Sequence, residues 1–118
     1  MENSILTGTK KVLGLDESYT AFDQDVIVYV NSAFATLNQL GIAPAGFIIE
    51  DVTATWSDLA LADEVTAMIK TYIYLKTRVV FDPPGTGFLL ESMNKQILEH
   101  EWRINHFREL TILESETG

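Results

Sequence analysis

A helical repeat of apolar residues constrains this chain more than any other feature of its sequence. The members of the repeat are Phe22, Val26, Val30, Phe34, Leu37 and Leu40. The β-branched run at residues 26–28 would suit a strand, but a spacing of three and four sustained over about five turns predicts a helix. Thr20 and Asp23 have the spacing of a capping box at the start of this helix, and Gly41 marks its end.

Three further helices follow from the same kind of pattern. The first covers residues 4–13, with Asn3 or Ser4 as its N-cap and Gly14 after it. The next covers residues 63–81 and is ended by the prolines that follow. The last begins near residue 87 and reaches residue 107, with an apolar stripe that weakens toward its end.

The segment at residues 42–58 differs in composition from the helical segments, because it contains short runs of β-branched and aromatic residues. It predicts two short strands joined by a tight turn. A hairpin of this size is marginal alone, so we expect it to be anchored on the helices by Phe47, Ile49 and Trp56.

These elements predict a mainly α fold, a small bundle of about four helices with a short β-hairpin between helices 2 and 3. A chain of 118 residues suits one core. We expect a single helical domain over residues 1–109. The remaining residues, 110–118, are mostly polar or acidic and are expected to become ordered only on assembly.

Charge and cysteine content exclude several classes of function. Seventeen acidic and eight basic residues give a net charge of -9, which argues against affinity for nucleic acid based on neutralised phosphates. The chain has no cysteine, so it has no disulfide, thiolate zinc site or cysteine nucleophile. It begins without the pattern of a signal peptide and has no uninterrupted apolar run of membrane-spanning length, so we expect a cytoplasmic chain that does not enter the membrane.

The cluster of residues 99–101 (EHE) together with His106 is the best candidate for catalysis or metal binding. His100 and His106 are six positions apart and point to different sides of a helix, whereas a two-ligand clamp needs a spacing of three or four. We therefore expect a solvated charged face, no enzyme activity and no cofactor.

Large apolar residues off the main stripe of the last helix point to an interface. Trp102 and Phe107 lie outside that stripe, and Phe88 and Leu89 add bulk on a second side at its start. The alternative is that these residues pack under the N-terminal helix or the hairpin.

Several segments carry a family resemblance. They are residues 72–84 (YIYLKTRVVFDPP), 91–97 (ESMNKQI) and 99–105 (EHEWRIN), with 51–58 (DVTATWSD) and 19–23 (YTAFD) upstream. Together they resemble the head-tail connector (neck adaptor) family of tailed bacteriophages, over residues 3–105.

That resemblance implies a structural protein of the virion neck that is present in the host cytoplasm before assembly. Subunits of this kind form a ring of about twelve copies beneath the portal protein. The ring joins the capsid to the stopper or tail-completion protein, and DNA passes through the lumen without specific binding. An acidic lumen would keep the DNA backbone from adhering.

The resemblance also directs the choice of candidate site residues. The candidate subunit interface consists of Phe81, Pro83, Pro84, Phe88, Trp102 and Phe107. The candidate portal-docking tail consists of Leu110, Ile112 and Leu113, which dock either as an added strand or in a groove. A small acidic regulator that binds a host protein remains the alternative, and ring formation distinguishes the two.

Overall fold

The computed structural model describes residues 3–42, 46–81, 85 and 87–117, and for residues 107–117 it describes the backbone only. Within these residues the fold has four α-helices, one short 3-10 turn and no strand. The prediction of a mainly helical fold with four helices is confirmed.

The first helix, α1, spans Ile5–Val12. Ser4 precedes it in extended backbone, and its hydroxyl accepts a hydrogen bond from the amide of Thr7. This contact satisfies one of the free amides at the helix start. Gly14 follows with φ of +80°, a left-handed conformation that favours glycine. The predicted cap and end of this helix are confirmed.

The second helix, α2, spans Asp23–Gln39 and ends before Gly41, as predicted. The capping box predicted at its start is wrong, because the N-cap is Phe22 and no side chain caps the helix. The carboxylate of Asp23 instead lies 2.8 Å from Nζ of Lys10, a side chain that is only 2% exposed. A buried ammonium group needs a partner of opposite charge, and this need directs the carboxylate away from the cap position.

The β-hairpin predicted between helices 2 and 3 is wrong, because the described residues 46–62 hold no strand. Their backbone groups find partners elsewhere. The side-chain amide of Asn31 donates to the carbonyl of Ile49 over 3.0 Å and accepts from its N–H over 2.8 Å. The amide of Ile5 donates to the carbonyl of Ala54 over 3.0 Å. Helix α2 and the N-terminus thus take up hydrogen bonds that a hairpin needs between its own strands.

A 3-10 turn at Trp56–Leu59 stands where the second strand was predicted. The carboxylate of Asp58 accepts a hydrogen bond from the amide of Thr55 and so closes the turn. The three predicted anchors still point inward: Ile49 and Trp56 are buried, and Phe47 packs against the ring of Phe34. These side chains therefore pack in or against the core, although the backbone that carries them does not form the predicted strands.

Helix α3 spans Asp63–Phe81, the predicted range, and is the central helix because α2 and α4 both pack on it. A ring contact joins Tyr29 to Phe81, and Thr36 lies close to the hydroxyl of Tyr72. The pairs run in opposite order along the two helices, so α2 and α3 are antiparallel. The fully buried side chains at the centre include Val26, Val30, Leu37, Ile69 and Ile73.

Helix α4 spans Gly87–Thr117 and so continues beyond the end predicted near residue 107. The reason lies in the sequence, since no proline or glycine follows Phe107 until Gly118. The division into a domain at residues 1–109 and a tail at 110–118 remains a prediction. No described helix is both long enough and apolar enough to cross a membrane.

Candidate functional site

Two of the predicted interface side chains are clearly exposed. Phe88 is 80% exposed and Trp102 is 65% exposed, so neither packs under α1 or the segment after α2. The ring of Trp102 stacks on that of His106, one turn further along α4. Phe81, by contrast, packs within the subunit against the rings of Phe22 and Tyr29. An interface role for these residues remains a prediction.

The other predicted site residues lie outside what the structure describes. Pro83 and Pro84 fall between the described ranges, and the side chain of Phe107 is not among those described. Leu110, Ile112 and Leu113 belong to the helical backbone of α4, but their side chains are not among those described.

A different set of apolar residues forms a second candidate interaction surface. Val28 of α2, Val80 of α3 and Leu98 of α4 are 61%, 54% and 65% exposed. We call the area formed by these three residues, together with the two grooves that flank α3, the three-helix surface. It places one exposed aliphatic side chain on each of three adjoining helices.

The two grooves adjoin along α3. The first lies between α2 and α3, has a volume of about 350 Å³ and includes Val28, Ser32 and Val80. The second lies between α3 and α4, has a volume of about 290 Å³ and includes Asn94 and Leu98. Lys76 and Val80 line both grooves, so the two grooves share these side chains of α3 as a common wall.

A polar cluster adjoins the groove between α3 and α4. The hydroxyl of Tyr72 donates a hydrogen bond to Oε2 of Glu101 over 2.7 Å, which links α3 to α4. Nζ of Lys76 lies 3.9 Å from the same carboxylate oxygen and 6.0 Å from the centre of the Tyr72 ring. Burial raises the pKa of the Tyr72 phenol well above its ordinary value, and Glu101 raises it further. The site therefore offers apolar contact beside the ammonium group of Lys76.

Sequence periodicity did not identify the three-helix surface. Val80 continues the apolar pattern of α3, but it lies near the helix end, where it is exposed. Val28 follows Val26 and Ile27, both buried, and a step of one residue on a helix turns it away from the core. A helical-wheel comparison of α2 could have shown Val28 to be outside the stripe, whereas nothing in the sequence marks Leu98.

A third depression, of about 430 Å³, lies beside the 3-10 turn. Its lining includes Asn3, Ser57, Asp63 and Lys70. The amide of Asn3 donates to the hydroxyl of Ser57 over 2.8 Å, and Nζ of Lys70 lies over the ring of Trp56. These polar groups already contact one another, and the depression has none of the exposed aliphatic side chains of the three-helix surface.

The histidine and glutamate side chains near residue 100 do not converge. Glu101 accepts the hydrogen bond from Tyr72, Glu99 pairs with Arg103, and His106 stacks on Trp102. Among the described residues, no group of three His, Cys, Asp or Glu side chains is placed to hold a metal ion.

Comparison with known proteins gave one match. The model of a family described as "Phage connector protein" matches residues 5–111, which is most of the chain. No curated protein and no solved structure matched the chain.

Proposed function

The chain belongs to the phage connector protein family, and we propose that it acts there as a head-tail adaptor. In this proposal, copies of the chain form a ring beneath the portal protein. The ring joins the capsid to the stopper or tail-completion protein and leaves a channel through which DNA passes.

The observation that carries the proposal is the three-helix surface. Val28, Val80 and Leu98 expose aliphatic side chains on three adjoining helices, and Trp102 adds an exposed aromatic ring on α4. Apolar groups gathered in this way are typical of a surface that binds another protein. Such a surface becomes covered when the subunit enters an assembly. On a protein that always remains a monomer, it would favour aggregation.

The helices suit a rigid building block. The central helix α3 contacts α2 through the rings of Tyr29 and Phe81, and α4 through the hydrogen bond from Tyr72 to Glu101. Copies that pack through two different surfaces generate a closed ring when the rotation between them allows it. The proposed role is therefore structural and not catalytic, and it needs no cofactor.

Charge supports the proposal that DNA passes without binding. The chain carries seventeen acidic and eight basic residues. A channel lined by such subunits repels the phosphate backbone, so DNA is guided through it and not retained. In this proposal the protein lies in the virion neck.

The C-terminal segment is the proposed contact with the portal protein. Leu110, Ile112 and Leu113 would dock on the portal, either as an added strand or in a groove. Deletion of residues 110–118 should abolish portal binding and leave the circular dichroism spectrum of a folded helical protein. Portal binding by the truncated chain would contradict this role.

Light scattering tests the assignment as a whole. The molar mass of the full chain should rise to that of a multi-subunit assembly, either alone or when the portal protein of the same phage is added. A chain that remains a monomer or dimer with portal present would contradict the adaptor role and favour a small acidic regulator.

A further inference from the structure

We propose that the three-helix surface of one subunit receives the segment at residues 47–52 of a second copy. In this contact Ile48 packs on Val28 and Val80, and Glu50 lies beside Lys76. The inference deepens the proposed function and rests on it, because it states which two surfaces meet within the ring.

The donating segment presents an apolar and an acidic side chain on one side. Ile49 is buried and Phe47 packs against the core, whereas Ile48 is 56% exposed and Glu50 is also exposed. Ile48 and Glu50 therefore face outward together, two positions apart.

The segment is also held in a fixed shape. Asn31 makes two hydrogen bonds to the backbone of Ile49, through its amide nitrogen and its amide oxygen. Asp51 accepts hydrogen bonds from the amide and the hydroxyl of Thr53 and so fixes the turn that follows. A segment that is already ordered loses little conformational entropy on binding.

The receiving surface complements this segment in polarity and charge. Val28 and Val80 expose aliphatic surface at the groove between α2 and α3, which has room for a side chain of the size of isoleucine. Lys76 lines the groove, and its side chain is about one-third exposed. Its Nζ lies 3.9 Å from Oε2 of Glu101. An ammonium group has three donors, so Lys76 can meet a second carboxylate.

The two surfaces lie on different sides of α2. Asn31 faces the segment at residues 47–52, whereas Tyr29 and Thr36, on the opposite side of the helix, line the groove. A subunit can therefore donate its segment to one neighbour and receive the segment of another, and this head-to-tail contact is the kind that closes rings. Pairing of two donating segments would bring Glu50 and Asp51 of both copies together, and like charges oppose it.

Disulfide trapping tests this contact directly, because the chain contains no cysteine. Ile48→Cys and Val28→Cys are introduced into separate full-length chains, and the two proteins are mixed and oxidised. We expect the mixed covalent dimer to exceed each like-with-like dimer by about tenfold, since disulfide geometry is demanding. In the control, Lys11→Cys, at an exposed position of α1, replaces Ile48→Cys. This pair should give no excess of the mixed dimer. Val80→Cys provides a second receiving position if Val28→Cys folds poorly.

Charge reversal gives an independent readout. Glu50→Lys and Lys76→Glu should each weaken assembly measured by light scattering, and the two changes in one chain should restore it. Assembly without the mixed disulfide, or without restoration by the double variant, would overturn this contact and leave the proposed ring in place. A chain that never assembles, even with portal present, would overturn the proposed function and this contact with it.

Discussion

The hydroxyl of Tyr72 donates a hydrogen bond to Oε2 of Glu101 over 2.7 Å, and this contact joins the central helix to α4. Tyr72 is fully buried although it ends in a polar group. Its hydroxyl donates to Glu101 of α4 and lies close to Thr36 of α2. One side chain thus connects the three helices that carry the proposed interaction surface.

Replacement of Tyr72 by phenylalanine should destabilise the fold by about 1–2 kcal/mol, because the half-buried carboxylate of Glu101 loses a hydrogen bond. Urea unfolding followed by circular dichroism measures the change. Tyr19→Phe is the matched control, since Tyr19 is 48% exposed, and it should leave the free energy of unfolding within about 0.5 kcal/mol of the wild type. Equal effects of the two substitutions would contradict the structural role of the hydroxyl.

The same tyrosine predicts how stability depends on alkaline pH. Burial raises the pKa of Tyr72 in the folded protein, so the folded state keeps this proton where the unfolded state, with a pKa near 10, loses it. The stabilisation is complete below pH 10 and declines as pH rises above it. The free energy of unfolding should therefore fall less steeply between pH 10 and pH 12 in Tyr72→Phe than in the wild type. Parallel pH profiles would contradict the raised pKa.

The buried pair of Lys10 and Asp23 should stabilise the junction of α1 and α2. Lys10→Met removes the charge and keeps the volume, so the carboxylate of Asp23 loses a partner at 2.8 Å and the carbonyl of Glu17 loses a donor at 3.0 Å. We expect a loss of about 3 kcal/mol in the free energy of unfolding. Lys11→Met changes the exposed neighbour and should cost less than about 0.5 kcal/mol. Similar losses for the two variants would show that the buried contact is unimportant.

A glycine should be required at position 8 of α1, because the side chain of Tyr74 lies close to it. A Cβ at this position would lie 2.7 Å from the hydroxyl oxygen of Tyr74. Gly8→Ala should therefore destabilise the protein by about 1–2 kcal/mol, although alanine is the better helix former. In a Tyr74→Phe background the hydroxyl is absent, and Gly8→Ala should become neutral or stabilising. Gly85→Ala, where nothing lies within 4 Å, is the control. A stabilised Gly8→Ala single variant would refute the clash.

Substitution of each of the two tryptophans should distinguish an effect on assembly from an effect on folding. Trp102 is 65% exposed, so Trp102→Ala should weaken assembly by light scattering and leave the melting transition nearly unchanged. Trp56 is only 3% exposed, and Trp56→Ala should cost about 3–5 kcal/mol of stability. A lost melting transition with unchanged assembly in Trp102→Ala would place Trp102 in the core.

Much of this architecture could be predicted from local sequence signals. The ends of α2 and α3 follow from Gly41 and from the prolines after Phe81, both of which act through the backbone of neighbouring residues. The segment after α2 could not be predicted in this way. Its β-branched residues suit a strand, but Asn31, eighteen positions before Ile49, supplies the hydrogen bonds that decide its backbone.

The candidate site was harder to predict than the fold, because exposure depends on how far neighbouring helices extend. Val80 continues the apolar pattern of α3 but lies where α2 and α4 leave it uncovered. The pairing of Lys10 with Asp23 was missed for a related reason. Each residue has a local interpretation, as a helix-end cation and as a first-turn acid, and only the packing of α1 on α2 brings them together.

Electron microscopy of the full chain with the portal protein of the same phage tests the adaptor role most directly. We expect a closed ring of identical subunits seated on the portal, coaxial with it and with an open central channel. A chain that binds the portal as isolated subunits, or does not bind it at all, would contradict the proposed function.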